Sequence, residues 1–188
     1  FADCPDLKAA AEAAAWGIFF NQGEVCTAAS RLLVHESIAE PFVESLLAVA
    51  RTINPGDPLS PDTQFGAMVS EEQMKTANSE GCALMLGGRR AREESGGFYV
   101  EPTVFDGVTP GATLSREEVF GPVLAVTRFK TPDEAIKLAN GTVYGLASGV
   151  WTKDVSLAHR AARELRAGLV WVNGWDACDI TMPFGGFK

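Results

Sequence analysis

Apolar positions along this chain fall into two rhythms. Leu7, Ala10, Ala11, Ala14 and Ile18 share one face at helical spacing, and Asp3 and Asp6 flank Pro5 just ahead of them, which suits a helix start. Gly23 is expected to break that helix. Ile38, Phe42, Leu46 and Val49 predict a second amphipathic helix, ended by Asn54-Pro55-Gly56-Asp57-Pro58. Ser70 to about Ala77 reads as a further helix. Thr131-Pro132-Asp133-Glu134 is a capping box with proline at the first helical position, opening a helix that should end near Asn140-Gly141. Leu157, Ala161 and Leu165 predict a last helix, ending at Gly168. The second rhythm is the short apolar run. Arg31–Val34, Ala83–Leu86, Val123–Phe129, Leu146–Trp151 and Leu169–Val172 read as strands, and Phe98–Phe105 has strand character interrupted at Pro102. Strands alternating with helices predict an α/β fold with a mostly parallel sheet covered on both faces.

Bulk properties narrow the class. The 188 residues fit one domain with a real core. An apolar fraction of 46% and a charged fraction of 21% are ordinary for a soluble globular protein. The net charge of −8 argues against a nucleic-acid partner and against anionic membranes. No apolar run approaches the length of a membrane span. There is no secretory signal and no initiator Met, and a cytoplasmic protein is expected. Phe1 opens just before a helix and Lys188 follows a Gly-Gly loop, so both ends read as cuts within a longer protein. Cys4, Cys26, Cys82 and Cys178 match no zinc or redox spacing, and His35 and His159 are too few for a typical histidine-rich metal site. No metal is expected.

Three segments carry candidate chemistry. Cys26 ends Phe19-Phe20-Asn21-Gln22-Gly23-Glu24-Val25-Cys26, beside a helix terminus. A thiolate there could attack a carbonyl, and a backbone N–H near the glycine-broken turn could hold the resulting oxyanion. A buried structural thiol is the competing reading of Cys26 alone. A cysteine–histidine hydrolase would need His35 or His159 as its base, yet both read as solvated surface residues. Glu118 lies in Glu117-Glu118-Val119-Phe120-Gly121-Pro122; alone, this is an acidic loop. Pro183-Phe184-Gly185-Gly186 alone is an ordinary turn.

In this order, the three segments resemble the catalytic domain of the aldehyde dehydrogenase superfamily, from about Asp3 to Lys188. The resemblance implies a three-layer αβα catalytic domain spanning 1–188, truncated at both ends. It implies Cys26 as nucleophile, Glu118 on the nicotinamide ribose hydroxyls and Phe120 beside the nicotinamide. A carboxylate suits a ribose diol because it accepts two hydrogen bonds. Phe184 would wall the substrate tunnel, and Cys178 and Asp179 would line it, with Cys178 standing where many relatives place an aromatic. The cofactor would be NAD or NADP and the partner a small aldehyde, in a homodimer or homotetramer. No dinucleotide fingerprint occurs in the chain. In the family most cofactor contacts, the general-base glutamate and an oxyanion-stabilising asparagine lie upstream. The 188 residues alone are therefore expected to be inactive.

The stretch Asn173 to Gly186 resembles bacterial enzymes acting on γ-glutamylamino-butyraldehyde and related aminoaldehydes. A general aliphatic or betaine aldehyde dehydrogenase is the alternative, as is a non-catalytic relative that keeps the fold. Between Gln73 and Gly87 the family usually carries a longer helix, and the shortness here reads either as a deletion or as a segment left out of the chain.

Overall fold

A computed structural model describes residues 1–72 and 82–188. Helix α1 (Leu7–Phe19) begins where Asp6 accepts the Ala9 N–H at 2.9 Å, a cap worth about 1 kcal/mol. It buries Ala10, Ala11, Ala15, Ile18 and Phe19. Strand β1 (Arg31–His35) leads into α2 (Ala39–Ala50), which packs along α1. Then come β2 (Ala83–Leu86), β3 (Arg90–Ala91), β4 (Tyr99–Val100), β5 (Thr103–Asp106) and a short α3 (Thr113–Arg116). The rest is β6 (Val123–Phe129), α4 (Pro132–Asn140), β7 (Ala147–Val150), α5 (Val155–Glu164) and β8 (Leu169–Val172).

The main sheet runs β1-β6-β5-β2, parallel except for the β5/β2 pair. Strands β7 and β8 form a separate parallel pair, and β3 and β4 an antiparallel one. Strand β6 shows why two layers cover the sheet. Leu124 and Val126 join Val34 and Val104 against α1 and α2. Val123 and Ala125 turn to the other face, with Phe105, Val108, Leu114, Val119 and Met68. That alternation follows from the two-residue period of a strand. Arg31, on the face opposite Val34, donates to the Leu138 and Ala139 carbonyls at the end of α4, at 2.7 and 3.3 Å. It fixes that helix across β1 and complements its negative end.

The α/β class and the mostly parallel sheet match expectation. Several boundaries differ. Helix α1 stops at Phe19, before Gly23, because Asn21 and Gln22 already adopt left-handed backbone. Helix α2 stops at Ala50, ahead of the Asn54–Pro58 turn. Helix α5 stops at Glu164; Leu165 is extended, and it stays buried. Strand β7 loses Leu146 and Trp151. At the capping box Thr131 accepts the Glu134 N–H at 3.2 Å, but Glu134 reaches back to the Lys130 N–H rather than to that of Thr131. Of the helix expected from Ser70 to Ala77, Glu71 and Glu72 are helical and the rest from residue 73, with most of the short stretch after Gln73, lies outside the described residues.

Candidate active site

The nucleophile loop leaves α1 through three successive residues with positive φ: Asn21 at 48°, Gln22 at 48° and Gly23 at 74°. Left-handed backbone costs a residue with a side chain roughly 1–3 kcal/mol, so the surroundings must enforce it. Asn21 supplies local bonds: its carbonyl accepts the Glu24 N–H at 3.0 Å, and its side-chain amide donates to the Glu24 carbonyl at 3.1 Å. Glycine at position 23 is a steric demand. A Cβ there would overlap the Gly121 carbonyl. The cysteine loop thus touches the Glu118–Pro122 loop backbone to backbone, and Phe120 enters that second loop with a φ of 53°.

Cys26 is exposed, and its backbone N–H donates to nothing among the described residues. Both features suit a nucleophile whose adduct needs a donor for an oxyanion. Cys26 lies on a cleft of about 280 Å³ running between β1 and β7. Glu117, Glu118, Tyr144 and Trp175 line the same cleft. The Tyr144 hydroxyl accepts the Glu118 N–H at 3.2 Å and so anchors that loop. The Glu118 carboxylate is exposed and has no hydrogen bond or ion pair among the described residues. It is free to accept from a diol.

Phe184, Cys178 and Asp179 gather elsewhere. They line a hollow of about 320 Å³ with Trp171, Ile180 and Met182. Trp171 and Trp175 stack at 4.8 Å between centroids, one lining each hollow, so this indole pair stands between the two spaces. Asp179 accepts from the Thr181 hydroxyl and N–H at 2.5 and 2.8 Å. Those bonds hold its carboxyl below the ordinary carboxylate range. Desolvation and the Asp176 carboxylate push the Cys178 thiol up. Desolvation does the same to Cys4. Neither is set up as a thiolate. Phe120 is 38% exposed and lines neither hollow.

Neither histidine lines the Cys26 cleft. The His35 ring bonds to the Ser37 hydroxyl and the Lys130 carbonyl at 2.8 and 3.0 Å, and His159 is exposed on α5. The geometry therefore provides no cysteine–histidine pair. Among the described residues no group of three or more His, Cys, Asp or Glu could hold a metal ion, and no helix is long and apolar enough to cross a membrane.

Sequence reasoning named Cys26, Glu118 and the Phe184 region but passed over Glu24, Tyr144 and Trp175. Trp175 had a legible signal: a large aromatic in a glycine-flanked loop beside Gly174. Tyr144 had none, because its role depends on a contact 26 residues away in sequence.

A mostly parallel α/β domain thus sets an exposed cysteine at a helix exit and an acidic loop on one cleft. The chain belongs to the aldehyde dehydrogenase family, whose pattern it matches over residues 1–188. It is 48% identical over 194 aligned positions to the NADP/NAD-dependent aldehyde dehydrogenase PuuC of Escherichia coli K12, covering 100% of this chain and 39% of that protein. Two crystal structures superpose closely. One is an indole-3-acetaldehyde dehydrogenase complexed with NAD⁺, with TM-score 0.96 and 53% identity, covering 99% of this chain and 39% of the other. The other is a γ-glutamyl-γ-aminobutyraldehyde dehydrogenase from Burkholderia cenocepacia J2315, with TM-score 0.95 and 51% identity over the same shares. The chain thus spans about two fifths of the length of the relatives it matches.

Proposed function

We propose that the protein oxidises an aldehyde to a carboxylic acid with NAD or NADP, and that these 188 residues are its nucleophile-bearing domain. The observation that carries this reading is the cleft shared by Cys26 and Glu118, residues 92 positions apart in sequence. The Cys26 thiolate adds to the aldehyde carbon, and the Cys26 backbone N–H, which donates to no described residue, receives the oxyanion of the thiohemiacetal. Glu118 holds the ribose diol, and Phe120, on the same loop, borders the nicotinamide. When bound, the cofactor supplies the hydride acceptor. Loss of hydride leaves a thioester on Cys26, which water hydrolyses. The base for that water is expected outside these residues, as are most cofactor contacts.

For the substrate, the ionised Asp179 beside the second hollow favours an aminoaldehyde with a free ammonium group, and less so one of the γ-glutamylamino-butyraldehyde type, whose chain end is zwitterionic and which the Asn173–Gly186 stretch favours by resemblance. The name of the Burkholderia relative, a γ-glutamyl-γ-aminobutyraldehyde dehydrogenase, is compatible with the second type. A second reading rests on the apolar side chains of the same hollow, Leu169, Trp171, Ile180, Met182 and Phe184. They suit an aldehyde bearing an aromatic ring, the substrate class in the name of the NAD⁺-bound relative. Comparing kcat/KM for the two aldehydes decides between them.

The reaction itself is tested with Cys26→Ala in the protein at its full natural length. Aldehyde-dependent NADH or NADPH formation should disappear while cofactor binding persists. In wild type, iodoacetamide should label Cys26 ahead of Cys4, Cys82 and Cys178. Turnover close to wild type in Cys26→Ala would refute the assignment.

A further inference from the structure

Glu24 stands two residues before Cys26 in sequence. Both of its carboxylate oxygens accept hydrogen bonds. Oε1 accepts the Val69 N–H at 3.0 Å, across 45 residues of sequence, and Oε2 accepts the Gln22 side-chain amide at 3.0 Å. Val69 follows Met68, whose own N–H is held by the Phe98 carbonyl at 3.0 Å. Met68 is buried and fits against Gly121, where an added Cβ would lie 2.6 Å from its terminal methyl. Gly121 in turn abuts Gly23. The contacts close a ring: Gly23, Gly121, Met68, Val69, Glu24 and back to Gly23. Two links of the ring are steric and repel on compression, and the peptide bonds between neighbours complete it. The Glu24–Val69 bond is the link that pulls.

We propose that Glu24 is a positioning residue that latches the Cys26 loop to the Met68–Val69 segment and, through it, to the loop bearing Glu118. It holds Asn21 and Gln22 in left-handed backbone and fixes the register between nucleophile and cofactor loop. The role follows from hydrogen-bond acceptance rather than from charge. This inference rests on the proposed oxidation for its catalytic consequence, but the latch itself has a readout that does not depend on turnover.

The test compares Glu24→Ala and Glu24→Gln in the full-length protein, well below the melting temperature of each variant. The glutamine oxygen can still accept the Val69 N–H, and the Gln22 amide can flip to meet the new amide. In Glu24→Ala the Val69 amide should exchange with solvent about tenfold faster. Because a misplacement near 1 Å can cost about 10²-fold, kcat should fall about 10- to 100-fold. In Glu24→Gln both quantities should return to within about threefold of wild type, by the same reasoning. Wild-type kcat in Glu24→Ala overturns the proposal, and so does Glu24→Gln behaving like Glu24→Ala. If wild type oxidises no aldehyde, the proposed function fails separately. The latch is then judged on Val69 exchange and on the rate of Cys26 alkylation by iodoacetamide. It stands if both change in Glu24→Ala and recover in Glu24→Gln, and falls if either stays at the wild-type value.

Discussion

The loop from Asn21 to Thr27 and the loop from Asn173 to Phe184 each carry a cysteine, and they are built in opposite ways. The first is held from outside itself. Gly23 meets Gly121, Glu24 meets Val69, and the Ala29 N–H just beyond the loop bonds to the Gly17 carbonyl at 2.8 Å. The second is anchored at its start, where Asn173 bonds to Val150 and Thr152, but from Asp176 on it is held mostly by neighbours in sequence. Cys178 N–H bonds to the Asp176 carbonyl, Met182 N–H to that of Asp179, and Asp179 to Thr181. Residues 178 to 184 are all exposed. A loop tied to distant elements transmits any change to them. A loop tied to itself can change side chains at little structural cost. The first suits chemistry that must not vary, and the second suits discrimination among substrates.

The comparison breaks most sharply at Gly23. Gly23→Ala forces a side chain onto the Gly121 carbonyl at a positive φ, and should cost about 2 kcal/mol or more of stability. Turnover should fall about 10²-fold even where the variant remains folded, because nucleophile and cofactor loop must separate. Thermal unfolding together with steady-state kinetics checks this. An alanine variant with wild-type melting and turnover would show that the two loops are independent.

Glu118→Gln sharpens the comparison from the partner loop. It leaves the Tyr144 bond intact, since that bond uses the backbone N–H. On the proposed reading it weakens charge-assisted hydrogen bonds to the ribose worth about 1.5–3 kcal/mol each at most. Single-turnover hydride transfer should slow about tenfold or more by that arithmetic, with melting unchanged. Wild-type rates in both Glu118→Gln and Glu117→Gln would remove the acidic loop from the cofactor site.

The smallest effect belongs to the substrate loop. Asp179→Asn should lower kcat/KM for an aminoaldehyde only a few-fold, spare an isosteric neutral aldehyde, and lose its effect as salt rises. The Asp179 carboxyl is held below its ordinary value, so it remains charged throughout the range above pH 4. The preference should therefore be flat from about pH 5 to pH 8, fading only as pH falls through that depressed value. Equal losses for both aldehydes would reject the role of Asp179, and so would a preference that titrates near pH 6.

The sequence disclosed these regions unequally. Helix α1, strand β6 and helix α4 were legible because local rules determine them: an aspartate cap, an apolar run, a capping box. Cys26, Glu118 and Phe184 stood out through their motifs. Glu24 and Tyr144 did not, since each acts through a hydrogen bond to a residue far away in sequence. The early end of α1 was hidden for a related reason. Asn21 gains local bonds to Glu24 from left-handed backbone, but Gln22 has no local need for it beyond its bond to the Glu24 carboxylate. They adopt it because tertiary contacts demand the turn.

The far end of the substrate loop is sewn down. The Phe187 N–H reaches the Gly145 carbonyl at 2.9 Å, which also accepts the Gly168 N–H at 3.0 Å. Gly168 and Gly185 touch with no room for a side chain between them. The arc from Asn173 to Phe184 therefore leaves β8 and returns beside its start. Closing a loop costs free energy that grows only with the logarithm of its length, about 0.6 kcal/mol per doubling. Insertions and deletions at the tip of this arc would thus be nearly neutral for the fold. On the proposed reading of this loop, the same scaffold could take new aldehydes by editing one closed arc, with the seam at Gly168 and Gly185 held constant. That seam is a source of evolvability.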